Sequence, residues 1–246
     1  MVETKHVVVT GGGSGVGADI ARTFHNGGAK VTIFGRNETA LKRQSLPYQV
    51  CDVTDASAVK KAFEAARKQH GPVDIVIANA GNALSKPFIQ MSQEDLSAML
   101  AVNLVGVFNT WQHGLADMVE RDWGRLIVVA STAGLKGYPY VSGYCAAKHG
   151  VIGMMKALSL ELAKTGITVN AICPGFTETP LLARSIENIV VTTKMSDVDA
   201  AKILKNNNPQ QRFIQTDEIA SAAMWLCDEA SRSVTGHSLS ISGGEI

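Results

Sequence analysis

The sequence predicts an α/β protein whose single domain, residues 1–246, has a doubly wound, seven-stranded parallel sheet with helices on both faces. Short runs of apolar and β-branched residues alternate with helical patterns along almost the whole chain. Five of these runs are nearly continuous in such residues, which is typical of parallel strands buried on both faces. The composition agrees with a compact fold, since 46% of the residues are hydrophobic and 18% are charged.

Seven segments have the length and the residue types of β-strands. They are His6–Thr10, Lys30–Phe34, Tyr48–Cys51, Val73–Ala78, Arg125–Ala130, Ile167–Ile172 and Ser238–Ile241. Crossovers between parallel strands are right-handed. Because all the strands run in the same direction, their carboxyl ends meet at one edge of the sheet. We expect a ligand crevice at that edge.

Five segments between the strands have helical patterns. They are Gly15–Asn26, Ala56–Gln69, Gln93–Glu120, Gly143–Lys164 and Asp217–Cys227. Ser92 and Thr216 each precede acidic residues, and both are predicted to begin the helix that follows. The alternation breaks once, over residues 176–213, and this segment is predicted to form a lid over the ligand crevice.

Composition and charge argue against several kinds of partner. The formal net charge of +1 gives no overall attraction to nucleic acid or to an anionic membrane. No apolar run reaches the roughly 18 residues that a membrane-spanning helix needs. The four cysteines and six histidines lack the spacing of a zinc site or a disulfide framework. With no recognisable export signal, we expect a soluble, cytoplasmic protein without a metal site.

A glycine-rich turn, Thr-Gly-Gly-Gly-Ser-Gly-Val-Gly, runs from Thr10 to Gly17, directly after the first predicted strand. Glycine permits positive φ and a close approach of the backbone to a ligand, and the following helix directs its N–H groups at an anion. Because the turn joins a first strand to a first helix, it predicts a dinucleotide site in a Rossmann-like fold. The predicted contacts are Gly11, Ser14, Gly15, Val16 and Gly17.

The end of the second predicted strand bears on the choice of cofactor. An NAD enzyme usually has an acidic residue there for the adenosine ribose, whereas this chain has Gly35 followed by Arg36. A guanidinium can bind a 2′-phosphate through two hydrogen bonds. The sequence therefore favours NADP(H), with NAD(H) as the other cofactor. The alternative is that Arg36 is a solvated surface residue.

Tyr144 and Lys148 are spaced i and i+4 at the start of a predicted helix, so they project from the same face. A nearby ammonium and a cationic nicotinamide ring both favour the tyrosine phenolate, which would make Tyr144 usable in proton transfer. Ser131 lies 13 positions earlier, just past a strand end, where its hydroxyl can reach a substrate oxygen.

Taken together, these motifs resemble the short-chain dehydrogenase/reductase family over essentially the whole chain. The shared features are the Thr-Gly-x-x-x-Gly-x-Gly turn, the Ser131 to Tyr144 spacing and the Tyr-x-x-x-Lys pair. The resemblance implies that Ser131, Tyr144 and Lys148 are catalytic and that Lys148 also holds the nicotinamide ribose. It adds Asn103 as a fourth catalytic residue, which positions a water between Lys148 and solvent. The alternative for Asn103 is a purely structural hydrogen bond in a kinked helix.

The resemblance also implies further cofactor contacts. Asp52 and Val53 resemble the family's adenine-contacting pair, although Asp52 alone fits equally well as a helix cap. Asn79, Ala80 and Gly81 resemble a motif in which the Asn ties strands together and the Gly leaves room for the cofactor. A further segment resembles the family's Pro-Gly-x-x-x-Thr motif, which contacts the nicotinamide carboxamide; its residues are Pro174, Gly175, Thr177 and Thr179, with Thr179 the better candidate of the two threonines.

The implied reaction is hydride transfer between a nicotinamide cofactor and a secondary alcohol or ketone. The length of segment 176–213 resembles 3-oxoacyl thioester reductases and 3-hydroxyacyl-CoA dehydrogenases, so an acyl thioester is the favoured substrate. Residues 137–140, which include Tyr138 and Tyr140, could instead shape a pocket for a small or aromatic alcohol or ketone. A non-enzymatic dinucleotide-binding sensor is a third interpretation, which the complete catalytic group disfavours.

A homotetramer is expected from two of the predicted helices. Gln93–Glu120 and Gly143–Lys164 carry more apolar positions than one buried face needs. Family members usually pair these two helices across a two-fold axis.

Overall fold

In a computed structural model, which describes residues 2–246, the seven predicted strands form one parallel sheet in the order β3-β2-β1-β4-β5-β6-β7. The strands are β1 His6–Thr10, β2 Lys30–Gly35, β3 Tyr48–Val50, β4 Ile75–Ala78, β5 Gly124–Val129, β6 Ile167–Pro174 and β7 Ser238–Ile241. The predicted doubly wound α/β fold is therefore confirmed. Chain order reverses between β1 and β4, which places the expected ligand crevice beside β1.

The helices lie between these strands along the chain. They are α1 Gly15–Asn26, α2 Glu38–Lys42, α3 Ala56–His70, α4 Gln93–Leu100, α5 Gly106–Arg121, α6 Ser142–Glu161, α7 Pro180–Thr193, α8 Asp197–Lys205 and α9 Thr216–Cys227. Within residues 2–246, no helix is both long and apolar enough to cross a membrane.

Two hydrophobic cores cover the two faces of the sheet. Val76 of β4 belongs to a core with Phe63 of α3 and Met155 of α6. Its neighbour Ile77 belongs to the opposite core, with Phe24 of α1 and other residues of α1 and α9. Successive strand residues point to opposite faces, so burial on both faces explains why these strands read as continuous apolar runs.

Strand β4 begins at Ile75 rather than at the predicted Val73. The amide of Val73 donates to the Asp117 carboxylate at 2.8 Å, so it is taken out of the strand ladder. Strand β6 is longer than predicted, since Cys173 and Pro174 pair with Ser240 and Ile241 of β7.

The helix predicted over residues 93–120 is interrupted by one turn of π-helix, Ala101–Val105. Inside this turn the Asn103 side-chain amide donates to the carbonyl of Met99, four residues earlier, at 3.0 Å. A side chain that competes for carbonyls of the helical ladder is a recognised cause of such bulges. The predicted single helix is thus α4 and α5 joined through Asn103.

One predicted helix start needs correction, and one helix was missed. Gln215, and not Thr216, is the N-cap of α9, where it forms a capping box with Glu218. The short helix α2, capped by Asn37, was not predicted, because five residues carry too little periodicity for a helical pattern.

Segment 176–213 contains α7 and α8, and it is closed at its base. The amide of Ile214 donates to the Phe176 carbonyl at 2.9 Å, and the amide of Glu178 donates to the Ile214 carbonyl at 2.9 Å. The two ends of the segment therefore lie side by side, next to the carboxyl end of β6.

Candidate active site

The glycine turn has the backbone geometry that its sequence predicts. Gly11 has φ +68° and Gly15 has φ +53°, values that L side chains rarely adopt. A Cβ at Gly17 would lie 2.4 Å from Asn79 Nδ2 and 2.5 Å from the Gly11 carbonyl oxygen, so only glycine fits there. Ser14 stands extended at the N-cap of α1 and its side chain makes no capping hydrogen bond. The first turn of α1 therefore keeps amides that can bind an anion.

Asn79 ties the exit of β4 to the exit of β1. Its Nδ2 donates to the Thr10 carbonyl at 2.9 Å. In return the Thr10 hydroxyl accepts hydrogen bonds from the amides of Asn79 at 3.0 Å and Ala80 at 3.1 Å. The sequence analysis did not predict this role of Thr10. The available signal was the position of Thr10 at the end of a strand, just before a glycine turn.

Gly81 is constrained mainly by a neighbouring side chain. A Cβ at Gly81 would lie 2.8 Å from Asn103 Oδ1. The prediction that this glycine makes room for a cofactor stays a prediction, but the contact that excludes a side chain comes from Asn103.

Arg36 and Asp52 lie together at the carboxyl ends of β2 and β3. Their charged groups are 3.6 Å apart, and the Arg36 side chain is 73% exposed. The Asp52 carboxylate accepts from the amide of Thr54 at 3.0 Å and from its hydroxyl at 2.8 Å. The hydrogen bond from the Thr54 amide, helped by Arg36, lowers the pKa of Asp52.

Helix α3 is capped by Asp55, which accepts from the amides of Ser57 and Ala58. The alternative interpretation of Asp52 as the cap of that helix was therefore wrong. Val53 is 5% exposed, and a Cβ at Gly106 of α5 would lie 2.6 Å from its Cγ2. The side chain of Val53 thus serves the packing of α5 against this edge.

Ser131, Tyr144 and Lys148 come together at the carboxyl end of β5. Helix α6 presents Tyr144 and Lys148 one turn apart, and Lys148 Nζ lies 5.6 Å from the centre of the Tyr144 ring. The Ser131 side chain lies close enough to Tyr144 to affect its ionisation, and its hydroxyl accepts from the Ala133 amide at 3.1 Å. Lys148 is 4% exposed, and its ammonium donates to the Val129 carbonyl at 3.0 Å.

Burial controls the ionisation of this group. It lowers the pKa of Lys148 to about 8 and raises the pKa of Tyr144 to about 12, against the opposing hydrogen bond from Ser131. In the protein itself burial opposes the Tyr144 phenolate, and the expectation that Lys148 and a cationic nicotinamide ring together favour it stays a prediction. At neutral pH Tyr144 holds its proton, which is the state needed to donate a proton to a carbonyl oxygen.

The Asn103 side chain is fully engaged in hydrogen bonds and is 0% exposed. Its Nδ2 donates to the carbonyls of Asn82 at 2.9 Å and Met99 at 3.0 Å. Its Oδ1 accepts from the Asn82 amide at 3.3 Å. Asn103 thus makes structural hydrogen bonds at a helix distortion, as its alternative interpretation expects, while the water-positioning role stays a prediction.

The segment after β6 folds over the glycine turn. Thr179 is the N-cap of α7 and accepts from the Leu182 amide at 3.3 Å. A Cβ at Gly15 would lie 3.4 Å from the methyl carbon of Thr179, so the start of α7 and the glycine turn are in close contact. The hydroxyl of Thr179 also donates to the Thr177 carbonyl at 3.1 Å, and that of Thr177 donates to the Gly175 carbonyl at 2.9 Å. These bonds stiffen the segment where it meets the glycine turn.

Cys173 and Cys145 are buried beside the site. Burial raises the pKa of the Cys173 thiol to about 11, so this thiol stays protonated and has little nucleophilic character. Across residues 2–246 no group of His, Cys, Asp and Glu side chains is arranged to hold a metal ion.

Known proteins resemble this chain throughout its length. A family model described as short chain dehydrogenase matches residues 5–190. The chain is 34% identical to a putative ketoacyl reductase of Streptomyces coelicolor, over 98% of this chain and 97% of that protein. It is 35% identical to an acetoacetyl-CoA reductase of Acinetobacter sp., over 99% and 98%. A variant of the actinorhodin polyketide ketoreductase with NADPH has the same fold, with a TM-score of 0.95 and 33% identity, covering 100% of this chain and 99% of that chain.

Proposed function

This chain belongs to the short-chain dehydrogenase family, and we propose that it interconverts a 3-oxoacyl thioester and the corresponding 3-hydroxyacyl thioester with NADP(H). The observation that carries the proposal is that Ser131, Tyr144 and the buried Lys148 lie together at the carboxyl end of β5. The thioester class is supported by the relatives named ketoacyl reductase and acetoacetyl-CoA reductase.

In the reducing direction the ketone oxygen binds between the hydroxyls of Ser131 and Tyr144. Both hydroxyls can reach one oxygen because the two side chains lie close enough to each other to interact. The reduced nicotinamide supplies a hydride to the carbonyl carbon when it is bound. Tyr144, which is protonated at neutral pH because its pKa is about 12, donates its proton to the oxygen. The Lys148 ammonium stabilises negative charge that develops on Tyr144.

The residues of the glycine turn fit a dinucleotide. Positive φ at Gly11 and Gly15, and the lack of space for a side chain at Gly17, leave a bare backbone cradle in front of α1. Arg36 is exposed, and its guanidinium lies 3.6 Å from the Asp52 carboxylate. It would bind the 2′-phosphate of NADP(H). NAD(H) is the other cofactor that this cradle would accept.

Segment 176–213 would cover the substrate within a single catalytic domain. Its base is closed by Phe176 and Ile214, and Thr179 contacts the glycine turn. A lid attached in this way can move as a unit without disturbing the sheet.

We further propose a cytoplasmic homotetramer that binds neither nucleic acid nor membranes. Apolar side chains stand exposed on the long helices, including Phe108 of α5 at 48% and Leu160 of α6 at 79%. Apolar groups arranged along helices in this way are suited to burial against other subunits.

The test is kcat/KM for the reduction of acetoacetyl-CoA with NADPH and with NADH. We expect turnover that favours NADPH, a loss of that preference in Arg36→Ala, and a fall of about 10²–10⁴-fold in kcat for Tyr144→Phe with cofactor affinity kept. Turnover confined to small or aromatic ketones would overturn the thioester proposal. Full turnover in Tyr144→Phe would overturn the mechanism.

A further inference from the structure

A second polar cluster lies outside the Ser131, Tyr144 and Lys148 group. Its centre is Glu245, in the segment after β7, whose side chain is 2% exposed. Lys136 Nζ lies 2.8 Å from Glu245 Oε1, and the Tyr138 hydroxyl lies 2.6 Å from the same oxygen. Both partners belong to the loop between Ser131 and Tyr144, so the cluster joins that loop to a distant part of the chain.

The direction of the hydrogen bonds follows from the chemistry of the groups. The Tyr138 hydroxyl is 2.6 Å from Glu245 Oε1 and also 2.6 Å from Thr132 Oγ1. A carboxylate can only accept, and a hydroxyl has one proton, so Tyr138 donates to Glu245 and accepts from Thr132. Burial and the carboxylate both raise the pKa of Tyr138, which keeps that proton in place. The result is a directed chain from Thr132 through Tyr138 to Glu245.

The ring of Tyr138 also makes contacts with its neighbours. It makes an edge-to-face contact with Phe176, with 5.9 Å between ring centres. Lys136 Nζ lies 4.9 Å from the centre of the Tyr138 ring. Since Phe176 stands at the base of segment 176–213, Tyr138 connects the catalytic loop, the proposed lid and the segment after β7.

The first member of the hydrogen-bond chain adjoins the catalytic serine. Thr132 begins the short 3-10 helix Thr132–Gly134, whose N-cap is Ser131. That helix is seated on α6, since a Cβ at Gly134 would lie 2.8 Å from the carbonyl oxygen of Lys148. A displacement of Thr132 would therefore move Ser131 relative to Tyr144 and Lys148.

We propose that Glu245 is a positioning residue that acts through Tyr138, holding the loop after Ser131 so that the serine hydroxyl stays beside Tyr144. This inference rests on the proposed function only for the substrate used in the assay. Charge-assisted hydrogen bonds to a buried carboxylate are short and strong, so those of Glu245 add to the contact of the 3-10 helix with α6 in fixing this loop. Loss of the Tyr138 hydroxyl takes a partner from both Thr132 and Glu245, and loss of the Glu245 charge removes the ion pair with Lys136, so either change loosens the loop.

The test uses Tyr138→Phe, which keeps the ring contact with Phe176, and Glu245→Gln, which removes the charge. We expect each to lower kcat about 10- to 100-fold, the range that misplacement of a reacting group by about 1 Å can cost. The dissociation constant of NADPH, measured by fluorescence, should be unchanged. The double variant should be no worse than the single ones, because the two residues act as one unit.

Tyr48→Phe is the matched control. Tyr48 also donates to a glutamate, Glu38, at 3.2 Å, and that glutamate also pairs with a lysine, Lys42, at 3.0 Å. Glu38 and Lys42 are exposed and Tyr48 is partly buried, and all three lie by the β2–β3 edge of the sheet, away from Ser131. The variant should therefore keep the kcat of the wild type. A fall in kcat equal to that of Tyr138→Phe would overturn the proposal.

Amide hydrogen exchange gives a readout that needs no substrate. Exchange over residues 132–140 should be about tenfold faster in both Tyr138→Phe and Glu245→Gln, and unchanged in Tyr48→Phe. If the wild type reduces no acyl thioester, the proposed substrate class fails, while this exchange measurement still decides the role of Glu245. Unchanged exchange in both variants, or additive losses in the double variant, would overturn the inference.

Discussion

Tyr144 and Lys148 have opposite pKa shifts with one cause. Both groups are withdrawn from water, and desolvation disfavours the charged form of each. The tyrosine therefore stays neutral far above physiological pH, whereas the lysine begins to lose its proton near pH 8. The spacing of the two residues predicts that they act together, but not which of them titrates first.

We predict that kcat/KM for ketone reduction is constant below about pH 8 and falls above it. The pKa of Lys148 is lowered to about 8, and loss of its charge removes the stabilisation of the developing phenolate. Tyr144 does not contribute to this fall, since its pKa is about 12. A pH profile of kcat/KM at saturating NADPH measures the effect. A rate that stays constant to pH 10 would contradict this assignment.

We predict that Lys148→Met is inactive but more stable at pH 7. The folded state holds Lys148 at a pKa of about 8 instead of 10.5, so below pH 8 the buried charge destabilises the wild type. After the loss of the hydrogen bond to Val129 is subtracted, the free energy of unfolding should rise by ~2 kcal/mol.

The lowered pKa of Lys148 also determines how the stability of the wild type depends on pH. Between pH 8 and 10.5 the unfolded wild type binds more protons at this site than the folded one, so its stability recovers as pH rises. The advantage of Lys148→Met should shrink over that range, as measured by urea unfolding. Lys156→Met, an exposed change on the same helix, should show no such trend.

At the scale of elements, the turn after β1 and the π-helical turn before α5 are both shaped by an asparagine. Asn79 closes the glycine turn onto β4, and Asn103 opens the helical ladder between α4 and α5. The pattern of apolar residues predicted one helix over 93–120, because this segment carries more apolar positions than one face needs, which masks the phase shift of about 100° from an inserted residue. The interruption depends on Asn82, which reaches Asn103 from a separate loop.

We predict that Gly17→Ala destabilises the protein and weakens NADPH binding. The new methyl group would lie 2.4 Å from Asn79 Nδ2 and 2.5 Å from the Gly11 oxygen, so the turn must shift. We expect a loss of about 1–3 kcal/mol in the free energy of unfolding and a Kd for NADPH raised by at least about tenfold.

Gly27→Ala, at the other end of α1, is its control. Its methyl group would meet Met224 Cε at 3.1 Å, and the flexible tip of that side chain can move aside. Thermal unfolding and fluorescence titration should leave this variant near the wild type. Normal NADPH binding by Gly17→Ala would show that the turn is more adaptable than its contacts indicate.

At the scale of the whole molecule, apolar side chains on α5 and α6 are exposed, which supports the proposed assembly. Phe108 and Val119 of α5 are 48% and 55% exposed, and Leu160 of α6 is 79% exposed. Exposed apolar residues along long helices are suited to burial in subunit interfaces. Catalysis in the proposed mechanism uses groups of one subunit, so assembly would serve stability.

We predict that the wild type sediments as a homotetramer at micromolar concentration. Phe108→Asp places a charge on the proposed interface, so we expect it to sediment as smaller species. Val50→Asp changes a residue that is 56% exposed on β3, at the edge of the sheet, and should leave assembly intact. A monomeric wild type would contradict the homotetramer.

The sequence by itself determined the order of the seven strands along the chain, the parallel sheet and the grouping of Ser131, Tyr144 and Lys148, whose catalytic role stays a prediction. These features rest on local periodicity and on spacing within one helix or one strand end, which neighbouring residues specify. Only the tertiary structure decided that Thr179 contacts Gly15 and that Glu245 holds Tyr138, 107 positions away. It also decided the direction of the Tyr144 pKa shift. Desolvation depends on which distant segments enclose a group, and no local pattern in the sequence records that enclosure.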